Sequence, residues 1–88
     1  MAREEELSVR LEVRLFGGLS CKNEELTCFG QSEFFVQAPE GITAQQFHEF
    51  LKLGAIPVVT AVNGVIEKKN HILADNDRVG IFPPVAGG

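Results

Sequence analysis

Nine consecutive residues, Leu7-Ser8-Val9-Arg10-Leu11-Glu12-Val13-Arg14-Leu15, alternate apolar and polar without a fault. A period of two is the pattern of a strand with one face in a core and the other in solvent, so this chain has to fold around a sheet. Gly17-Gly18 stops the strand with a bend. Residues 19–30 show no period and read as a loop holding at most one helical turn. Glu33-Phe34-Phe35-Val36-Gln37 is rich in strand formers and lies close enough to pair back antiparallel on the first strand. Pro39-Glu40-Gly41 then turns the chain.

Thr43, with Gln46 three residues on, makes a capping box, and Ile42 is placed to staple onto Phe47. The helix that begins there carries Phe47, Phe50 and Leu51 as its apolar stripe, with Gly54 as a left-handed stop after about three turns. His48 lies beside the stripe and reads as a rim residue. Val58-Val59-Thr60-Ala61-Val62 is β-branched enough for a strand buried on both sides, and Asn63-Gly64 is a strong hairpin signal leading into Val65-Ile66. Residues 67–71 are polar and read as a solvated loop; Asp75-Asn76-Asp77 turns the chain into a last strand, Arg78-Val79-Gly80-Ile81-Phe82. Two strands, a helix and three further strands describe an α+β domain with its first and last strands side by side. Such a roll is the ubiquitin-like β-grasp, a mixed sheet of four to five strands packed on one main helix. At 88 residues the chain holds one domain. Its expected parts are a flexible segment over residues 1–6, the β-grasp over 7–82 and an extended tail over 83–88.

Charge and composition exclude several functions. The net charge is −4, whereas nucleic-acid binders need clustered Lys and Arg, so neither DNA nor RNA is an expected partner. No apolar run is long enough to span a bilayer and residues 1–6 are too acidic for a secretory leader, so no membrane is expected and the chain reads as cytoplasmic. Cys21 and Cys28 do not form a C-x-x-C motif and are read as two free thiols, with a disulfide or a reactive thiol as lesser alternatives. Ser8, Ser20 and Ser32 stand in no nucleophile motif, there is no phosphate loop, and the Cys and His positions suggest no metal.

The end of the chain is where chemistry can live. Phe82-Pro83-Pro84-Val85-Ala86-Gly87-Gly88 passes from a strand into a segment whose prolines forbid helix and whose last four residues carry no charged or bulky side chain. The six residues after Phe82 reach about 20 Å when extended, enough to thread a narrow channel into another protein's active site. Glycine suits that role because side chains would jam the channel and crowd attack at the terminal carbonyl. The reactive group is then the α-carboxylate of Gly88, with Phe82, Pro83, Pro84, Val85, Ala86 and Gly87 as the partner-binding stretch.

Three segments, Val62-Asn63-Gly64, Leu73-Ala74-Asp75-Asn76-Asp77-Arg78-Val79 and Ile81 to the closing Gly87-Gly88, resemble the MoaD/ThiS sulfur carriers, as does Arg14-Leu15-Phe16 near the start. The tail's prolines are closest to MoaD, the small subunit of molybdopterin synthase. Asn76 stands where the family usually has glycine, and Asn is the next best residue for a left-handed turn. The resemblance implies a carrier that is no enzyme on its own and binds no cofactor. A ubiquitin-activating-type adenylyltransferase would use ATP to convert the Gly88 carboxylate to an acyl-adenylate, and a persulfide donor protein would then leave a thiocarboxylate. In the molybdopterin (molybdenum or tungsten cofactor) branch the charged tail enters the synthase large subunit and gives up its sulfur there. Alternatives are a ThiS-type carrier for thiamine thiazole synthesis, a ubiquitin-like protein modifier, and a β-grasp interaction module with an inert tail.

Overall fold

A computed structural model of the chain describes residues 7–84. The alternating segment forms β1 (Ser8–Leu15), and its apolar set Val9, Leu11, Val13 and Leu15 is buried while Arg10 and Arg14 stay in solvent. A long connection leads to β2 (Glu33–Pro39), which pairs antiparallel with β1, Val13 opposite Phe34. One helix, α1 (Ala44–Phe50), follows. β3 (Val59–Val62) and β4 (Val65–Glu67) form a hairpin through Asn63 and Gly64, both at positive φ (51° and 85°), the geometry a two-residue turn between twisted strands requires. β5 (Arg78–Phe82) completes a five-stranded sheet of order β2-β1-β5-β3-β4. Only β1 and β5 run parallel; the fold is the mixed-sheet β-grasp that the strand and helix order implied.

The helix begins where the capping box placed it. Gln46 N–H donates to Thr43 Oγ1 at 3.1 Å, and Thr43 N–H donates to Gln46 Oε1 at 3.0 Å. The remaining first-turn donors find partners outside the helix: Ala44 N–H reaches the His71 carbonyl and Gln45 N–H the Lys69 carbonyl. Residues 67–71, expected to be a solvated loop, thus finish the helix cap with their backbone while Lys68 and Lys69 remain exposed.

Two expectations need correction. The helix ends after seven residues, not three turns, because Lys52 (φ 56°) already turns left-handed directly after the cap residue Leu51, two residues ahead of Gly54 (φ 91°). Leu53 N–H then reaches the His48 carbonyl and Lys52 N–H the Glu49 carbonyl, a Schellman closure that also buries Leu53. The strand expected to be buried on both sides is not: in β3 only Val62 is buried, since helix covers one face of the sheet and, among the described residues, nothing covers the other. The core between them joins Leu11, Val13, Phe47, Leu51, Leu73, Val79 and Ile81, each at most 2 % exposed.

Residues 19–30 contain no helical turn, yet they are anchored. Cys21 N–H bonds the Gln31 carbonyl and Gly30 N–H the Cys21 carbonyl, while Asn23 Nδ2 donates to the Phe50 carbonyl at 2.8 Å. Cys21, Asn23 and Cys28 are buried by this arrangement.

Candidate functional site

The tail leaves the sheet from its centre. Phe82, last residue of β5, lies opposite Val59 of β3, and on the β1 side Phe16 N–H donates to the Ile81 carbonyl at 2.9 Å. The Phe82 ring meets Phe16 edge to face, centroids 5.9 Å apart. Pro83 then folds over the bend after β1: a Cβ on Gly17 would stand 2.7 Å from both Pro83 Cδ and Cγ, closer than carbon atoms pack. Gly17 also has φ +68°. Glycine is thus required there twice, for its backbone and for the space that Pro83 fills. Pro83 is half-buried and Pro84 exposed; Val85, Ala86, Gly87 and Gly88 lie outside the described residues, as do residues 1–6.

The strand that aims the tail is fixed at its other end by a network between two turns. Asn63 Nδ2 donates to Asp77 Oδ1 at 2.8 Å, Arg78 N–H donates to Asn63 Oδ1 at 2.9 Å, and Ala74 N–H donates to Asp77 Oδ2 at 2.8 Å. Arg10 N–H reaches Asp75 Oδ1 at 2.7 Å, and Asn76 N–H returns to the Arg10 carbonyl. Asn76 itself sits at φ 69°, so asparagine does supply the left-handed turn. Asp75 and Asp77 are therefore turn formers whose carboxylates lock β5 between β1 and the β3–β4 hairpin.

Beside the root of the tail lies the uncovered sheet face. Glu12, Arg14, Phe16, Ala61, Arg78, Gly80 and Phe82 line a shallow depression of about 390 Å³ on it. Gly80 puts no side chain between the phenyl rings and the arginines. Register extends the face outward: Phe35 lies opposite Glu12, and Ile66 opposite Ala61, with both residues more than half exposed. Arg10 stacks over Phe35 at 4.4 Å. Three arginines against Glu12 and Glu33 make this face locally basic on an acidic chain. Among the described residues the only close contact between a basic and an acidic side chain is His71 Nδ1 with Glu67 Oε1 at 3.4 Å, so the guanidinium groups of Arg14 and Arg78 are free to meet an outside acid.

Of the residues singled out in the sequence, Phe82, Pro83 and Pro84 are placed together, while the histidines stand apart from them. His48 is half-buried at the rim of α1, its Nε2 without a partner, facing a groove of about 880 Å³ between α1 and β3–β4. Cys21 and Cys28 are free thiols buried in the core. Phe16, Gly17, Arg14 and Arg78 belong to the tail's surroundings and were not singled out as site residues. Arg14, Phe16 and Arg78 fall within the segments that resemble the sulfur carriers, and Phe16 and Gly17 end the first strand, whose parallel partner carries the tail. Among the described residues no helix is long and apolar enough to cross a membrane.

A β-grasp domain whose last central strand runs straight into an apolar Gly-Gly tail has the build of a ubiquitin-like carrier or modifier. A model of the ThiS family matches residues 13–88, and the chain belongs to that family of small ThiS/MoaD-type proteins. No curated protein matches it. Among solved structures, the putative molybdopterin converting factor subunit 1 of Pyrococcus furiosus is 27% identical, with 88% of this chain and 99% of that one covered at a TM-score of 0.64. The fold is also shared with small archaeal modifier protein 1 of Haloferax volcanii (20% identity, 88% and 99% covered, TM-score 0.64). The Helicobacter pylori complex of subunits 1 and 2 of the molybdopterin-converting factor contains a further likeness (23% identity, 91% and 100% covered, TM-score 0.56).

Proposed function

We propose that this chain is a sulfur carrier of molybdopterin synthesis, acting as the small, sulfur-donating subunit of the synthase, with the Gly88 carboxylate as the group that carries the sulfur. The observation that carries this reading is the family match running through residue 88 on a fold that roots the tail, at Phe82 and Pro83, beside an exposed apolar and basic face. The likeness to the Pyrococcus furiosus protein favours the molybdopterin branch over thiamine synthesis.

A carboxylate resists nucleophilic attack because its leaving group would be oxide. Transfer of AMP from ATP by an adenylyltransferase replaces that oxide with a phosphate monoester, a good leaving group. The terminal sulfur of a persulfide donor then attacks the carbonyl, AMP departs, and reduction of the remaining S–S bond by a second thiol leaves a thiocarboxylate on Gly88. Gly87 and Gly88 keep the carbonyl open to attack, and residues 83–88 deliver it into the active sites of the activating enzyme and then of the synthase large subunit. The face around Phe16, Phe82, Arg14 and Arg78 docks these partners, burying the phenyl rings while the arginines meet acidic side chains.

The test is intact-mass measurement after incubation with ATP, a cognate adenylyltransferase and a sulfur donor. Exchange of one oxygen for sulfur on Gly88, lost on deletion of Gly87-Gly88, is expected; no change with a demonstrably active partner overturns the carrier role. Transfer of the sulfur to a pterin precursor with the synthase large subunit is the expected fate. Delivery to a thiazole synthase, or an isopeptide bond to target lysines, would replace the molybdopterin assignment. Phe82→Ala is expected to weaken complex formation at least tenfold in a folded protein, and an unaltered affinity and transfer rate would remove Phe82 from the docking face.

A further inference from the structure

Nothing in the tail chemistry uses the two cysteines, yet the fold brings them together. Cys21 Sγ and Cys28 Sγ are 3.3 Å apart, seven residues apart in sequence and both buried, at 0 % and 2 % exposure. The position of Cys21 is held on both sides, by its N–H to the Gln31 carbonyl and by its carbonyl to the Gly30 N–H. Immediately after it, Lys22 N–H bonds the Leu51 carbonyl and Asn23 Nδ2 the Phe50 carbonyl, so the segment is stitched to the end of α1. A disulfide requires about 2.05 Å between the sulfurs, so the 3.3 Å contact is already within about 1.3 Å of bonding distance.

We propose that Cys21 and Cys28 are a dithiol site that is converted reversibly to an intramolecular disulfide by exchange with a low-molecular-weight disulfide. One cysteine sulfur attacks the external disulfide and releases a small thiol, forming a mixed disulfide. The other cysteine then attacks the protein sulfur of that bond and releases the second small thiol. Two S–H bonds are lost and one S–S bond is made; both electrons and both protons leave with the two small thiols. A reducing thiol reverses the steps.

Geometry makes the product favourable and burial makes the reaction slow. In the closed fold burial pushes the Cys28 thiol up to about 12, with its hydrogen bond to Cys21 adding to the effect, so thiolate is scarce. Exchange therefore proceeds when residues 22–30 open, which breaks the hydrogen bonds of Lys22 N–H to the Leu51 carbonyl and Asn23 Nδ2 to the Phe50 carbonyl and brings Cys28 into solvent. Once formed, the bond closes a short ring and restrains the unfolded chain, for an expected rise in melting temperature of roughly 10 °C. By the same linkage, the disulfide is favoured in the folded chain over the unfolded one by about fiftyfold.

The experiment equilibrates the full chain with mixtures of reduced and oxidised glutathione, in buffer and in concentrated urea, then blocks free thiols and measures intact mass and peptide maps. The expected native product is a monomer that has lost two hydrogens, takes up no blocking reagent, carries a Cys21–Cys28 link and melts higher until it is reduced. Cys21→Ala and Cys28→Ala, each tested for folding by circular dichroism, should lose the temperature shift. Glutathione adducts or disulfide-linked dimers in place of the internal bond would overturn the proposal. An equal equilibrium in urea and in buffer, or an oxidised form that melts no higher than the reduced one, would do the same.

Discussion

Gly17→Ala tests whether the root of the tail is fixed by packing. Gly17 and its neighbour Gly18 both have positive φ, +68° and +82°, so an alanine at either position bears a similar backbone cost of about 1–2 kcal/mol. Their surroundings differ. A Cβ at Gly18 meets nothing within 4 Å, whereas one at Gly17 meets two ring carbons of Pro83 at 2.7 Å. The proline ring cannot rotate away, so relief requires Pro83 and its backbone to shift, an overpacking cost of about 1–3 kcal/mol. Gly17→Ala should therefore destabilise by about 2–5 kcal/mol and Gly18→Ala by about 1–2 kcal/mol. Replacing Pro83 by alanine in the Gly17→Ala background removes both offending atoms and should restore most of the difference. The chain has no Trp or Tyr, so urea unfolding is best followed by far-ultraviolet circular dichroism. Equal losses from the two glycine substitutions, or additive effects of Gly17→Ala and Pro83→Ala, would refute the packing argument. Sulfur loading on the folded Gly17→Ala variant should also fall, because the displaced proline re-aims the tail.

Asp77→Ala removes the acceptors for Ala74 N–H and Asn63 Nδ2 and should cost about 1.5–3 kcal/mol in urea unfolding. Asp77→Asn should recover less than half of that, since Asn63 presents its NH2 there and its oxygen already serves Arg78, so a second amide cannot accept both bonds. Stability should fall in alkali: Cys28 titrates near 9.0 when unfolded and is raised to about 12 when folded, so between those values the unfolded chain holds fewer protons. The fall reaches no more than about 1.4 kcal/mol per pH unit, and Cys28→Ala should flatten it when melting temperatures are compared across that range.

The features readable from the chain were the local ones. The β1 alternation, the Thr43–Gln46 capping box and the Asn63-Gly64 hairpin each depend on neighbours a few residues apart, and each appears as expected. What escaped depends on distant contacts. The end of α1 is decided by burial of Leu53, which lets Lys52 accept a left-handed backbone ahead of Gly54. The exposure of β3 follows from a bare sheet face, which a run of β-branched residues does not announce. At the site, Phe82 and the prolines were found from the tail's own pattern. The fit of Pro83 over Gly17 joins residues far apart in sequence, as does the Asn63–Asp77 bond, and each residue alone looks like an ordinary turn former.

The place of β5 has a consequence for how such a molecule is made. Although it is the last strand of the fold, it is the middle of the sheet: its Val79 pairs with both Val13 and Val62. Before those five residues arrive, β1–β2 and β3–β4 are separate hairpins with no ladder between them, and hairpins alone are barely stable in water. A truncated or misfolded copy therefore lacks the seat for Pro83 and the joined face beside it. Under the proposed function, recognition of the tail would double as inspection of the whole molecule, and only copies that have finished folding would be activated.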